Sequence, residues 1–295
     1  MPRSVAFRQV DVFTSVPFLG NPVAVVLDGS GLSTEEMQRV ARWTNLSETA
    51  FVLPSEHADY RLRIFTPLDE LPFAGHPTVG SAHAVIEAGL VTPRAGGLTQ
   101  ECAAGIIALR AEPDSRIFAR APKPTVRPVN IDPARLSAAI GAPVERDPAP
   151  ALVDIGPVWL IAQVASVESL AEAMPDLAAV SMMSAEAGAI GISAFAISTQ
   201  MDAAERVRIR TWAPGAGVPE DPACGSCNAA LGAYLGATGL LARTGRSYVA
   251  SQGRELGRDA RIAARCTVRK KSISAVTPSP WLRARSASIS DAPKT

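Results

Sequence analysis

Hydrophobic and polar positions along the chain switch repeatedly between a two-residue and a 3.6-residue period, the signature of mixed strands and helices. Residues 5–13 and 22–26 predict strands. Ser33 then opens a helix, with Glu36 three residues later in capping-box position. Met37, Val40, Ala41 and Thr44 form that helix's apolar stripe. Strands follow at 50–53 and 60–65. In the second half, 158–164 and 189–197 are strand-like runs with a helix predicted over 167–174 between them. This mixture predicts an α+β fold rather than a run of clean βαβ units.

Prolines 122, 124, 128 and 133 punctuate the middle of the chain. Each fixes its own φ and biases the residue before it toward extended geometry, so a stiff crossing outside any element is expected there. The crossing ends in Asp132-Pro133, an N-cap aspartate followed by proline at the first helical position. Two domains are expected from this cut, residues 1–121 and 122–295, with packing of the C-terminal tail back on the first domain left open. The halves echo one another. Arg61-Leu-Arg-Ile-Phe-Thr66 leads through Leu71-Pro-Phe-Ala-Gly-His-Pro-Thr78 into a helix-like run ending near Ala88. Arg206-Val-Arg-Ile-Arg-Thr211 leads through Asp221-Pro-Ala-Cys-Gly-Ser-Cys-Asn228 into another ending near Ala237. The strands are offset by 145 residues (206 − 61) and the glycines, Gly75 and Gly225, by 150 (225 − 75), so the second loop is five residues longer. The predicted buried stripes are Val79, Ala82 and Ile86 in the first helix, and Cys227, Leu231, Tyr234 and Leu235 in the second.

Composition narrows the function classes. The 295 residues are 47% hydrophobic and 19% charged, an ordinary globular balance. With 29 Lys and Arg against 28 Asp and Glu, the net charge of +1 argues against a general nucleic-acid binder. The most apolar stretch, 151–165, is too short to span a bilayer and contains Asp154, Gly156 and Pro157, so no membrane partner is expected. The N-terminal residues lack the apolar block of a signal peptide. Four cysteines in so long a chain do not make a disulfide framework, and a cytoplasmic location is expected.

A glycine at a helix start lets backbone approach a ligand, and first-turn amides have no intrahelical acceptors. Such an end attracts carboxylates. His76 and Thr78 stand at the first helix entrance, and Asp221, Cys224 and Ser226 at the second, where side chains are placed for proton transfer. Five ordered motifs then carry a resemblance: Gly20-Asn21-Pro22, Asn45-Leu46-Ser47-Glu48-Thr49, the 65–78 stretch, the 220–227 stretch EDPACGSC, and Gln252-Gly253 with Gly257-Arg258. Together they resemble the PhzF-like family of phenazine biosynthesis.

The resemblance implies a diaminopimelate epimerase-like fold: two similar α+β domains, each a barrel-like sheet around a central helix, with the active site in the cleft between them. It implies an isomerase that moves a proton on a small carboxylate-bearing substrate such as trans-2,3-dihydro-3-hydroxyanthranilate, without cofactor or metal, and a homodimer. By position, the catalytic acid/base falls on Glu48, with Asp221 and His76 also catalytic. Gly75, Gly225, Ser226, Asn21 and Cys224 fall on substrate-binding positions. A glutamate shielded from water has its carboxylate disfavoured, which tunes it for acid/base work near neutral pH.

Two departures leave alternatives open. Cys224 stands where many family members have threonine. In related epimerases a cysteine before this glycine is one of two bases, so an amino- or hydroxy-acid epimerase using Cys224 with Glu48 is an alternative, as is a catalytically silent binding protein of the same fold. The matching first-half position is Ala74, which cannot titrate, and this favours Cys224 as a small packed residue. Cys224 and Cys227 form a C-x-x-C. A thioredoxin-like reading of it needs a strand–helix–strand context that the pattern does not show, and a zinc site needs a second ligand pair. The basic, proline-containing C-terminal segment also departs from the family, with strands expected only at 273–276 and 281–289 and a loose end after Asp291.

Overall fold

A computed structural model of the protein describes residues 4–95, 97–112, 116–121, 123–200, 205–267, 279–284 and 286–288. The chain divides into two compact units, one drawn from Met1–Arg120 with Arg283–Thr295 and the other from Ala121–Leu282. Among the described residues no helix is long and apolar enough to cross a membrane.

The first unit opens with β1 (Phe7–Val12) antiparallel to β2 (Asn21–Val26). Helix α1 (Thr34–Thr44) has the expected capping box: the Ser33 hydroxyl accepts the Glu36 amide and the Glu36 carboxylate accepts the Ser33 amide. Met37 and Ala41 from its stripe are buried against Phe51 and Phe65, whose rings meet edge to face at 5.5 Å. Asn45 ends the helix in the left-handed region, φ 53°. The chain continues through β3 (Thr49–Leu53), β4 (Tyr60–Phe65), a short β5 (Glu70–Leu71) and α2 (Gly75–Glu87). The strands β6 (Gly97–Cys102), β7 (Gly105–Ala111) and β8 (Ile117–Arg120) follow.

The second unit begins with β9 (Thr125–Pro128), inside the crossing expected to lie outside any element. It pairs antiparallel with β10 (Ala151–Asp154). Most of β9 is exposed, and its only proline is the last residue, where proline costs a ladder little. Helix α3 (Pro133–Ile140) starts as expected, with the Asp132 carboxylate accepting the Ala134 amide at 2.9 Å. Then come β11 (Val158–Gln163), α4 (Val167–Ala171), α5 (Leu177–Ala187), β12 (Gly191–Ile197), β13 (Val207–Trp212), α6 (Gly225–Ala237), α7 (Leu241–Thr244), β14 (Ser247–Gln252) and β15 (Ala260–Thr267). Sequence periodicity misses α5, whose apolar residues lie all round it and leave Met182 53% exposed. Asp176, accepting the Ala178 and Ala179 amides, starts it. Toward the C-terminus, β16 (Ser279–Ala284) and β17 (Ser286–Ser288) cover most of the second expected C-terminal strand region; β17 belongs to the first unit, where it pairs antiparallel with β1. The other expected strand, 273–276, and the segment after Asp291 lie outside the described residues.

The two units repeat one another strand by strand. In the first, β1–β2 are antiparallel, β2–β3 parallel, β3–β4 antiparallel, β4–β6 parallel and β6–β7 antiparallel. In the second, β10–β11, β11–β12, β12–β13, β13–β14 and β14–β15 follow the same order of sense. The fold is thus α+β with two similar units. It nonetheless contains strand–helix–strand steps with parallel strands, including β4–α2–β6 and β13–α6–β14, which the sequence pattern does not reveal.

Helices α2 and α6 are buried nearly all round rather than along the stripes predicted for them. Helix α2 packs against β1, β2, β3, β4 and β8, and α6 against β9, β10, β11 and β15. Small residues allow this. A Cβ on Gly80 would lie 2.5 Å from Val23 Cγ1 and 2.9 Å from Val12 Cγ2, both on stiff β-branched side chains. Gly80→Ala is expected to destabilise the protein by about 1–2 kcal/mol, overpacking outweighing alanine's better helix propensity. Urea denaturation would check it, and an unchanged or higher midpoint would refute it.

Candidate active site

Glu48 sits in the turn between α1 and β3. Asn45 closes the helix, and the Thr44 and Thr49 hydroxyls meet at 2.7 Å across the turn. The Glu48 carbonyl accepts the Ala24 amide of β2 at 3.5 Å, so its backbone is tied into the sheet. Its side chain is 17% exposed overall, but Oε2 itself is out of reach of solvent and lies 3.4 Å from His76 Nδ1. His76 is the second residue of α2 and is buried. Burial pushes the Glu48 carboxyl up to about 7, against the opposing pull of the Ser47 hydroxyl. The N-cap of α2, Ala74, makes no side-chain cap at the Gly75 end of the helix, beside the Glu48–His76 pair.

That first turn is braced from behind. Tyr60 Oη donates to Gln100 Oε1 at 3.1 Å, and Gln100 Nε2 donates to Thr78 Oγ1 at 3.1 Å. All three residues are buried, and Tyr60 and Gln100 are register partners on β4 and β6. Burial raises the Tyr60 phenol far above its ordinary value, so it stays a neutral donor.

The second unit builds its terminus the same way. Gln252, the last residue of β14, accepts the Cys224 amide and the Asn228 side-chain amide at 3.1 Å each, and donates to the Asp221 carbonyl at 2.9 Å. Gly253, at φ +90°, lies against the Pro222 carbonyl so closely that no Cβ would fit. This explains why the Gln252-Gly253 motif accompanies the 220–227 motif: one clamps the other. The Asp221 carboxylate accepts the Ala223 amide at 2.9 Å and shapes the turn. Ser226 Oγ accepts the Trp159 indole N–H at 3.1 Å. Asn21 is buried at the first position of β2, and the Gly20 before it faces the Val12 carbonyl with no room for a Cβ.

Glu48, His76 and Gly75 are therefore brought together in the first unit, and Asp221, Cys224, Gly225 and Ser226 in the second. The braces Gln100 and Gln252 were not singled out as site residues. Gln252 is marked in the sequence by the Gln252-Gly253 motif, and Gln100 by its offset from it, 152 (252 − 100), close to the 150 of the glycines. Replacing Gln252 with leucine is expected to cost on the order of 2 kcal/mol, because the buried Cys224 amide loses its acceptor and the part-buried Asp221 carbonyl loses a donor, while Asn228 keeps its bond to the Cys224 carbonyl. Retention of wild-type stability in urea would contradict this brace.

Cys224 is the clearest departure from expectation. It is not a packed free thiol but is joined to Cys227 by a disulfide, with Cα atoms 5.3 Å apart. As N-cap of α6 it is the structural counterpart of Ala74 at α2. The spacing of three residues across the first helical turn brings the two sulfurs together, whatever the overall cysteine content. Cys102 and Cys266 are buried free thiols.

Comparison with known proteins agrees with these features. The family model described as "Phenazine biosynthesis-like protein" matches residues 10–278. Antisense-enhancing sequence 1 of Schizosaccharomyces pombe is 40% identical over 265 residues, covering 86% of this chain and 88% of that one. The trans-2,3-dihydro-3-hydroxyanthranilate isomerase of Pseudomonas aeruginosa is 36% identical over 272 residues, covering 90% and 92%. The crystal structure of a PhzF-family phenazine biosynthesis protein from Bacillus anthracis superposes with a TM-score of 0.82 at 26% identity, covering 97% of each chain. A doubled unit with a glycine-opened central helix in each half, matched by sequence over nearly the whole chain, places this protein in the PhzF-like family of isomerases.

Proposed function

We propose that the protein isomerises a small carboxylate-bearing substrate of the dihydro-3-hydroxyanthranilate type by moving a proton between carbons, with Glu48 as the acid/base group. The observation that carries this reading is the Glu48 carboxyl, pushed up to about 7 by burial and set 3.4 Å from His76 beside the uncapped N-terminus of α2. A group that must accept a proton and then return it works best when neither form is strongly preferred at working pH. In the proposed cycle the Glu48 carboxylate takes a proton from one carbon, the electron pair delocalises along the conjugated system, and the Glu48 acid returns the proton to another carbon. No electrons are gained or lost, so the cycle needs no redox group. His76 orients the carboxyl, and the Gly75 end of α2 holds the substrate carboxylate. The name of the Pseudomonas relative supports the substrate class.

While Cys224 is bonded to Cys227, the epimerase reading with Cys224 as a second base is disfavoured, because a disulfide sulfur cannot accept a proton as a thiolate does. Incubation of the protein with trans-2,3-dihydro-3-hydroxyanthranilate in deuterated buffer tests the proposal by mass and NMR spectra. Conversion with deuterium entering at the newly protonated carbon is expected. A folded protein that neither converts nor exchanges this substrate would overturn the substrate class.

A further inference from the structure

We propose that Cys224 and Cys227 form a reversible dithiol–disulfide couple at the N-terminus of α6, with Cys224 the sulfur that exchanges with small disulfides and Cys227 the resolving sulfur. Three features carry this. The pair is bonded across a single helical turn, with a Cα separation inside the range that disulfides ordinarily span. It opens the helix that connects two parallel strands, β13 and β14, in chain order, the strand–helix–strand context in which a C-x-x-C pair reads as a redox motif. And the two sulfurs are unequal. Cys224 is the N-cap, 5% exposed, with the Cys227 amide 3.2 Å and the Ser226 hydroxyl 3.5 Å from its sulfur. Cys227 faces the core and is 0% exposed. A sulfur anion on Cys224 would sit against first-turn amides that stabilise it.

Pre-organisation makes closure inexpensive in entropy. The Gln252 side chain holds the Cys224 amide and Asn228, one on either side of the pair, and Asn228 Nδ2 also donates to the Cys224 carbonyl at 2.9 Å. Breaking the S–S bond leaves these clamps in place, so the sulfurs stay within reach of each other. In the forward step the Cys224 thiolate attacks one sulfur of a small disulfide. That S–S bond breaks, and the first small thiol leaves as thiolate and takes up a proton. Cys227 then gives up its proton and attacks the Cys224 sulfur, expelling the second small thiol. Two protein thiols are oxidised to one disulfide while the small disulfide is reduced to two thiols. A thiolate formed at Cys224 on reduction adds a negative charge at the entrance to α6, beyond that of the nearby Asp221 carboxylate. A weaker grip on a carboxylate there is the consequence for activity, and that consequence alone rests on the isomerase reading.

The couple is tested without turnover. The full chain is equilibrated at pH 7 in buffers of stepped ratio of reduced to oxidised glutathione, quenched with acid, then denatured and alkylated for intact-mass and peptide analysis. The expected result is a titration between two and four alkylated cysteines, with the change confined to the peptide carrying Cys224 and Cys227. Cys102 and Cys266 serve as internal controls, since burial raises both thiols, Cys266 to about 11. Cys227→Ser is expected to capture glutathione at Cys224, and Cys224→Ser to react at Cys227 about ten-fold more slowly. Four alkylated cysteines at every ratio, two at every ratio, or equal reaction of the two variants would each overturn the proposal. An inactive isomerase that still titrates would sink only the functional reading.

Discussion

Glu48→Gln is expected to lower the rate of proton transfer about 10²–10⁴-fold, the span that a positioned acid/base group contributes. Glutamine keeps the shape of the side chain that lies 3.4 Å from His76, but it cannot take up and return a proton. The pH profile of the wild type should carry the same signature. Glu48 must begin as carboxylate, so kcat/KM is expected to rise about tenfold per pH unit below neutrality and to level off above about 7, where burial has placed its titration. Steady-state rates across the pH range, with the variant as control, make the check. A variant within a few-fold of wild type would remove Glu48 from the chemistry and leave the fold assignment untouched.

The same substitution should have the opposite effect on stability. The ordinary value of the Glu48 carboxyl is 4.5, and burial raises it to about 7 in the folded chain. Between those limits the folded state holds a proton that the unfolded state has lost, so stability falls as pH rises through this window. Below 4.5 both states are protonated and the residue is neutral toward folding. Above 7 both are ionised, and the folded state bears the full cost of a poorly hydrated carboxylate, on the order of 3 kcal/mol. Glutamine never ionises. Glu48→Gln should therefore be more stable than wild type by about that amount at pH 8 and close to it at pH 4. Denaturant titrations at the two pH values measure the difference. Equal gaps at both would mean that the carboxyl is not held out of water. A residue that costs stability and supports turnover is one retained for its chemistry.

Much of the fold was legible because it is locally encoded. The capping box at Ser33, the Asp132-Pro133 start of α3 and the glycine-opened helices at Gly75 and Gly225 all depend on neighbours within one turn of chain. The internal echo showed a strand, loop and helix, whereas the structure repeats five strand pairings in the same order. The difference lies in pairing sense. Whether β13 runs parallel to β14 depends on where the chain returns after α6, and residue pattern alone does not record that. This is also why the C-x-x-C lacked its context on paper. Helix α5 was missed for a different reason, since its apolar residues surround it and leave no stripe to read.

For the candidate site, the residue types and motifs came from the chain. The helix-opening glycines and the residues at the two helix entrances, His76 and Asp221 among them, can be named from order and spacing, whereas Glu48 is named only through the family resemblance of the motif around it. Only the folded chain decided what those residues experience. It put Glu48 Oε2 out of water beside His76, placed Gln100 behind Thr78 and Gln252 behind Cys224, and closed Cys224 onto Cys227. Desolvation and hydrogen bonding between distant segments depend on distances through space. Those distances are set when the sheet of each unit curls around its helix, which no stretch of sequence carries by itself.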